Sequence, residues 1–398
     1  MPFCMAEPPI ARVKRLLLTA TIATVATIAA SSWAGQAHGI ETADSAASAA
    51  LAAAAAQPEP KWIGVPRSAG RLHAADIGLV INTADPYSVA VGAYYAKRRG
   101  LVPEQVLRVS VPLLPSLSIQ DFDRLRQQIT EHFGPRTQAL ALAWTAPWSV
   151  ECNSITGALA AGFDAALCAN SCARPSRASP YFNSASAQPL ADHGFRPSML
   201  LAAKDIEGAK ALIDRGVASD AALSRRGRPD VDVLLLTTGD VHRGIRQRLY
   251  PPAGPVAAVG IDVKVQNAGQ WSATRRAVLV ITGSQTVDLE PPPSWAPGGL
   301  GDHLTSFGGA LTSALGHTTA LDWIAAGATA THGAVSEPCN HLQKFPHPQV
   351  LLLHYLQGST AIEAYWKSVA WPQQSLFVGE PLAAPFAAPW APSLRPTP

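Results

Sequence analysis

The stretch ADIGLVINTAD, residues 75 to 85, decides how the chain folds. Its apolar residues follow one another with little interruption and end in polar ones, which is typical of a strand buried on both faces of a parallel sheet. Pro86 comes next, at a position suited to the first turn of a helix. The following residues, PYSVAVGAYYAKRRG, end in cations and Gly100, as the C-terminus of a helix prefers. This part of the chain therefore predicts a strand followed by a helix.

The alternation of strand and helix continues along the chain. A second strand is predicted in EQVLRVSVP, a helix with Ser118 as its N-cap in SIQDFDRLRQQITEHFG, and a third strand in TQALALAWTAP. Further strands are predicted in VDVLLLTTGD and RRAVLVITGS, and helices from about Asp205 to Arg215 and over PQVLLLHYLQGSTAIEAYWKSV. The sequence therefore predicts the α/β class, with a mostly parallel sheet and helices on both faces.

Three segments of different composition predict the organisation of the chain. Residues 1–37 have the basic, apolar and small-residue regions of a secretory signal peptide, although an uncleaved N-terminal anchor is the alternative. Residues 38–73 are a low-complexity Ala/Pro linker. Residues 74–398 are predicted to form a single α/β domain, interrupted at about 151–196 by a Cys/Pro-rich insertion.

The predicted localisation and the net charge of the chain limit the kinds of partner that it can have. The signal peptide predicts an exported protein, periplasmic or secreted, with no membrane span in the mature chain. The net charge of +3, with 15% charged residues and no basic patch, excludes nucleic acid as a partner. The partners expected are an unknown ligand, a peptide or an envelope protein, and no cofactor is predicted.

Four cysteines remain after the predicted signal peptide, and an even number in an oxidising compartment indicates disulfides. At least one disulfide is expected between two of Cys152, Cys168 and Cys172, although spacing does not select the pairing. Cys339 is an alternative nucleophile, because His341 and Lys344 would lower the pKa of its thiol. A zinc site at Cys168 and Cys172 would need two more ligands, so no metal site is predicted.

Polar residues follow several predicted strands, and ligands of parallel sheets bind outside the carboxyl ends of the strands. One shared crevice is therefore expected. Its catalytic candidates are Asp302, His303, Ser306 and Cys339. Its ligand-binding candidates are Asn82, Asp85, Asp240, Glu337 and Asn340.

The sequence GDHLTSFGG, residues 301–309, supports two interpretations. In the first, Asp302, His303 and Ser306 are an acid, a base and a nucleophile, which requires Ser306 within hydrogen-bond reach of the base. In the second, Ser306 and Thr305 cap the following helix and His303 is structural. Alternation along a strand sends His303 and Ser306 to opposite faces, so only a turn could bring them together.

A set of motifs resembles an uncharacterised family of exported bacterial proteins. They are ADPYSVAVGAYYAKRRG, VECNSITGALAAGFD, RPSMLLAA, LIDRGVASD, DHLTSFGG, EPCNHLQKFPHPQV, EAYWKSV and FVGEPLAAPF, between about Asp76 and Phe386. The resemblance implies export and brings no established activity.

The order of elements is distantly similar to the caspase-like catalytic domain of gingipain-type cysteine peptidases. That resemblance implies a histidine in the turn at 281–284 and a cysteine in the turn at 305–309. The first turn holds no histidine, and Ser306 stands at the cysteine position. It thus implies a caspase-like fold without the Cys-His dyad that binds a ligand or partner in its crevice. The alternative is a peptidase-like hydrolase that uses Ser306 or Cys339 with His303.

Overall fold

The computed structural model describes residues 60–224, 230–312 and 315–388. The strands within these ranges are β1 (Ile77–Asn82), β2 (Val106–Val109), β3 (Ser116–Leu117), β4 (Ala139–Leu142), β5 (Ser149–Val150), β6 (Asn153–Ser154), β7 (Ser198–Leu200), β8 (Val231–Thr237), β9 (Gly254–Val256), β10 (Ile261–Asn267), β11 (Arg276–Thr282), β12 (Trp295–His303), β13 (Ala330–Ala334) and β14 (Ser375–Gly379). The helices are α1 (Pro86–Arg99), α2 (Ile119–His132), α3 (Ile155–Ala161), α4 (Ala166–Ala169), α5 (Pro189–His193), α6 (Ile206–Ser219), α7 (Ala320–Ala325), α8 (Pro348–Leu356) and α9 (Ala361–Ser368).

Eleven of the strands form one sheet in the order β2-β1-β4-β7-β14-β13-β12-β11-β8-β10-β9. The pairings of β1 with β2 and β4, of β8 with β10 and β11, and of β12 with β11 and β13 are parallel. Two pairings, β13 with β14 and β9 with β10, are antiparallel. The prediction of an α/β protein with a mostly parallel sheet is confirmed.

The strand and helix predicted from the opening stretch are β1 and α1. All residues of β1 are buried, as the apolar run requires. Asp85 caps α1 by accepting a hydrogen bond from the Tyr87 amide at 2.9 Å. Gly100 ends the helix with a φ of 65°, a left-handed conformation that glycine adopts without a steric penalty.

Helices cover both faces of the sheet, as alternation along β12 shows. The Trp323 ring of α7 lies over Gly301, where a side chain would collide with it, and bonds the neighbouring His303. Asp302 points to the opposite face and contacts His332 there. That second face is covered by α9, whose Trp366 packs on Phe377 beside His332. The expected two-sided arrangement is confirmed.

One predicted helix is in fact two. The stretch PQVLLLHYLQGSTAIEAYWKSV forms α8 and α9, separated by a turn in which Gly358 has a φ of 89°. Thr360 then caps α9, with its hydroxyl bonded to Glu363 at 2.7 Å in a capping box. The prediction of a single helix was wrong because the apolar residues on either side were read as one run, although the QGST sequence between them is a stop and restart signal.

The domain begins before residue 74. Residues 60–73, assigned to the linker, lie against the domain: the Ile63 amide bonds Gln349 at 2.9 Å, and the Leu72 amide bonds Glu363 at 3.1 Å. Leu72 is buried, so this end of the predicted linker is anchored to the domain. The predicted signal peptide, residues 1–37, and the linker as far as residue 59 lie outside the described residues.

The insertion at 151–196 is partly regular. It contains β6, α3, α4 and α5, and α3 packs against the sheet through the buried Ile155 and Ala158. Among the described residues, no helix is long and apolar enough to cross a membrane.

Candidate functional site

A cavity of about 330 Å³ lies at the carboxyl ends of the strands in the centre of the sheet. The loops that follow β8, β12 and β13 enclose it, because these strands, with β11 between them, are parallel neighbours. The residues that line it are His242, Arg243, Leu304, Thr305, Ser306, Glu337, Pro338, Cys339, Asn340 and Phe345. It therefore contains four of the predicted site residues: Ser306, Glu337, Cys339 and Asn340.

Ser306 and Glu337 form the polar pair on one side of the cavity. The Ser306 hydroxyl donates to Glu337 Oε2 at 2.5 Å, and the Cys339 amide donates to Oε1 of the same carboxylate at 2.7 Å. Ser306 follows β12 and Glu337 follows β13, so the adjacent strand ends bring the pair together. A hydroxyl bonded to a carboxylate offers polar atoms to a ligand, and it is also the first requirement for activation of a serine.

Arg243 lies on the other side, in the loop after β8. Its Nη1 contacts Asp240 Oδ2 at 2.7 Å, and its Nε contacts Thr305 Oγ1 at 3.4 Å. Thr305 Oγ1 also lies 2.9 Å from His317 Nδ1. Hydrogen bonds from the Arg243 backbone and side chain outweigh burial and lower the pKa of Asp240. The predicted ligand contact Asp240 thus serves mainly to hold Arg243 at the cavity.

Two residues of the cavity region have unfavourable backbone conformations. Phe307, next to Ser306, and Cys339 both have a φ of 56°, in the left-handed region that non-glycine residues seldom occupy. Such conformations are concentrated at functional sites, where the surrounding structure maintains them.

The cysteines form two disulfides, Cys152–Cys168 and Cys172–Cys339, with Cα–Cα distances of 5.1 and 5.3 Å. The first joins two of the three cysteines for which a disulfide was expected. The second ties the insertion to the Glu337–Asn340 turn. Cys339 therefore has no thiol to act as a nucleophile in this structure, which corrects its assignment as a catalytic candidate.

Asp302 does not orient His303, because consecutive residues of a strand point to opposite faces. It is fully buried, forms an ion pair with buried Arg246, and lies 3.2 Å from His332 Nδ1. Burial acts to raise the pKa of Asp302, but Arg246 and His332 outweigh it and the pKa is lowered. Asp302 is therefore an ionised structural anchor in place of the predicted acid.

His303 is not placed to act as the base of Ser306. Its Nδ1 accepts a hydrogen bond from Trp323 Nε1 at 2.9 Å, so its Nε2 carries the proton and donates to the Thr318 carbonyl at 2.8 Å. Both ring nitrogens are thus occupied in the core. The structural interpretation of His303 is supported, and the Asp302–His303–Ser306 arrangement is not formed.

We expect His303 to stay neutral at all physiological pH values, because burial lowers its pKa to about 4. Its folded pKa is below the unfolded value of 6.5, so it contributes stability above pH 6.5 that is lost as the pH falls toward 4. Nitrogen-edited NMR of the imidazoles checks this: the His303 signals should not shift between pH 8 and about 5. A titration midpoint near 6.5 would contradict it.

Asn82 and Asp85 lie outside the cavity, contrary to expectation. In sheet order β1 is five strands from β12, which at the usual strand spacing is about 24 Å. Asn82 Nδ2 donates to the Val111 carbonyl at 3.0 Å, and Asp85 caps α1. A sheet this wide does not gather all its strand ends into one crevice.

Sequence reasoning missed Arg243, His242 and His317. The dense polar run GDVHRGIRQRLY after β8 was the available signal for the first two, but the search ended at Asp240. In the ranges that the structure describes, no cluster of three or more His, Cys, Asp or Glu is arranged to hold a metal ion. Comparison with protein-family models, curated proteins and solved structures finds no match to this chain.

Proposed function

We propose that this is an exported ligand-binding protein whose ligand occupies the cavity between the loops after β8, β12 and β13. The observation that supports the proposal is the convergence of Arg243, Ser306 and Glu337 from three separate loops on one cavity of about 330 Å³. A concave site with a few convergent polar groups is the usual form of a small-ligand site. The two disulfides are compatible with an oxidising compartment.

We also propose that the fold is caspase-like and has lost its catalytic dyad. The turns that follow β11 and β12 would hold that dyad, and they are neighbours because the two strands are parallel and the Leu304 amide bonds the Thr282 carbonyl at 3.0 Å. These turns contain Gly283 and Ser306 in this sequence. The crevice would then be retained for binding, with a peptide or an envelope protein among its possible ligands.

The binding proposal predicts that a bulky side chain in the cavity abolishes binding. Asn340→Trp should raise the Kd of any cavity ligand at least tenfold, because the ring competes for a space of about 330 Å³. A panel of free amino acids, di- and tripeptides, and mono- and disaccharides provides the probes, with binding measured by calorimetry. Gln270→Trp, another exposed polar position, is the matched control. A panel member that binds both variants as well as the unaltered protein does not use the cavity.

A second function is favoured by one observation, the 2.5 Å hydrogen bond from Ser306 to Glu337. In a serine hydrolase that uses this pair, Glu337 would take the proton of Ser306 as the hydroxyl attacks an acyl carbon. Labelling with a fluorophosphonate probe tests it: labelling should be lost in Ser306→Ala and strongly reduced in Glu337→Gln. An unlabelled native protein would leave only the binding function.

A further inference from the structure

The cavity carries opposite charges on its two sides. Arg243 enters from the loop after β8 and Glu337 from the turn after β13, and both line the cavity. Between them lie Thr305, which is 3.4 Å from Arg243, and Ser306, which is 2.5 Å from Glu337. Because Thr305 and Ser306 are consecutive, with Cα atoms about 3.8 Å apart, the two charges lie within roughly 10–15 Å of each other.

Contacts within the protein hold each charged group in place but leave part of its hydrogen-bonding capacity free. Asp240 takes Nη1 and Thr305 takes Nε of Arg243, and a guanidinium has five N–H donors in all. The Arg243 side chain is 26% exposed, so part of it faces the cavity. Each oxygen of the exposed Glu337 carboxylate accepts one hydrogen bond within the protein and can accept another.

Buried Arg246 and Asp302 compensate each other. Buried Lys344 interacts with the Glu337 carboxylate but is turned away from the cavity, with its Nζ donating to the Ser171 carbonyl at 2.6 Å. A ligand with a single charge would be attracted by one side of the cavity and repelled by the other. A ligand with a positive and a negative group at opposite ends complements both sides. A peptide of two or three residues spans roughly 7–10 Å between its termini. With a hydrogen bond of about 3 Å at each end, it can bridge two charges that lie up to roughly 15 Å apart.

We infer that the ligand is a zwitterion of the short-peptide class, with its carboxylate on Arg243, its ammonium group on Glu337 and its backbone along Thr305 and Ser306. This inference rests on the proposed binding function and names its ligand. Each terminal contact is a hydrogen bond between charged groups, so loss of either charge should weaken binding about tenfold or more.

The test compares dialanine and trialanine with their N-acetylated, C-amidated and doubly capped forms by calorimetry. For the unaltered protein, each cap should raise Kd about tenfold. In Glu337→Gln, acetylation should lose its effect while amidation keeps it, and in Arg243→Gln the pattern should be reversed. Glu104→Gln and Arg248→Gln, at exposed positions outside the cavity lining, should retain the full pattern.

The outcomes separate this inference from the binding function on which it rests. Equal affinity for free and doubly capped peptides would overturn the inference that the ligand is a zwitterion. So would a saccharide that binds the unaltered protein but not Asn340→Trp, if no peptide binds. In both cases the cavity would still be a ligand site. If acetylation still weakens binding to Glu337→Gln, Glu337 does not bind the ammonium group. If amidation still weakens binding to Arg243→Gln, Arg243 does not bind the carboxylate. Binding that is insensitive to Asn340→Trp would overturn the binding function itself.

Discussion

The free energy of unfolding is expected to fall by about 3–5 kcal/mol when Arg246 is replaced by methionine. Arg246 is 1% exposed and pairs with Asp302, which is fully buried, and its Nη2 donates to the Thr282 carbonyl at 2.7 Å. Methionine fills much of the same space but leaves Asp302 as a buried carboxylate without its cation. The large cost comes from that uncompensated charge, because an intact buried pair contributes little net stability.

The deficit of the methionine variant should depend on pH. In the unaltered protein, the lowered pKa of Asp302 contributes stability above the unfolded value of 3.8, and this is lost as the pH falls through the folded pKa. Without Arg246, only His332 opposes the effect of burial, so we expect the folded pKa of Asp302 to rise and the folded variant to take up a proton at a higher pH than the unaltered protein does. The difference between the two proteins should therefore shrink from pH 8 to pH 5.

Urea unfolding at both pH values measures this effect. Arg248→Met, two residues away and exposed, is the control and should change the stability by less than about 0.5 kcal/mol. The double variant Arg246→Met, Asp302→Asn should be more stable than Arg246→Met alone at pH 8, because the buried charge is removed with its partner. Equal losses in the single and double variants would show that the pair does not carry the effect.

The local signals of the sequence predicted the elements that they control. Ser118 caps α2, Asp205 caps α6 and Gly100 ends α1, because caps act through hydrogen bonds and backbone angles within a few residues. The sequence pattern places Val89, Gly92, Ala93 and Ala96 on one side of α1, but the buried face is different: Val89 is 38% exposed, while Tyr95 is buried. Small residues that pack closely against a sheet give little hydrophobic contrast, so periodicity does not orient such a helix.

The sequence predicted those residues of the candidate site whose position depends only on the strand that they follow. Ser306 and the Glu337–Asn340 turn reach the cavity because they follow adjacent parallel strands. Which side chains pair there depends on contacts between loops remote in sequence, such as the one between Arg243 and Thr305. The two interpretations of His303 stayed open for the same reason, since its partner Trp323 comes from the following helix. Residue types alone do not reveal such contacts.

The two disulfides should contribute unequally to stability, and the larger loss is expected for the one at the cavity. A disulfide stabilises chiefly by restricting the unfolded chain, and the restriction increases with the length of the loop that it closes. Cys172 and Cys339 are 167 residues apart, while Cys152 and Cys168 are 16 apart. The chain-entropy relation gives about 5 kcal/mol for the long loop and about 3 kcal/mol for the short one.

Urea unfolding of the full chain under non-reducing conditions measures this difference, with Cys172→Ser, Cys339→Ser as one variant and Cys152→Ser, Cys168→Ser as the other. Each variant is the matched control of the other, since both replace two cysteine sulfur atoms by serine oxygen atoms and leave one disulfide intact. A larger loss of stability for the variant at 152 and 168 would contradict the loop-length argument and would show that this disulfide stabilises the folded insertion instead.

The Cys172–Cys339 disulfide also fixes the turn that carries Glu337, because Cys339 lies two residues away and its amide bonds the Glu337 carboxylate at 2.7 Å. Its removal should therefore weaken binding at the cavity as well as folding, whereas the short-range pair should affect folding alone.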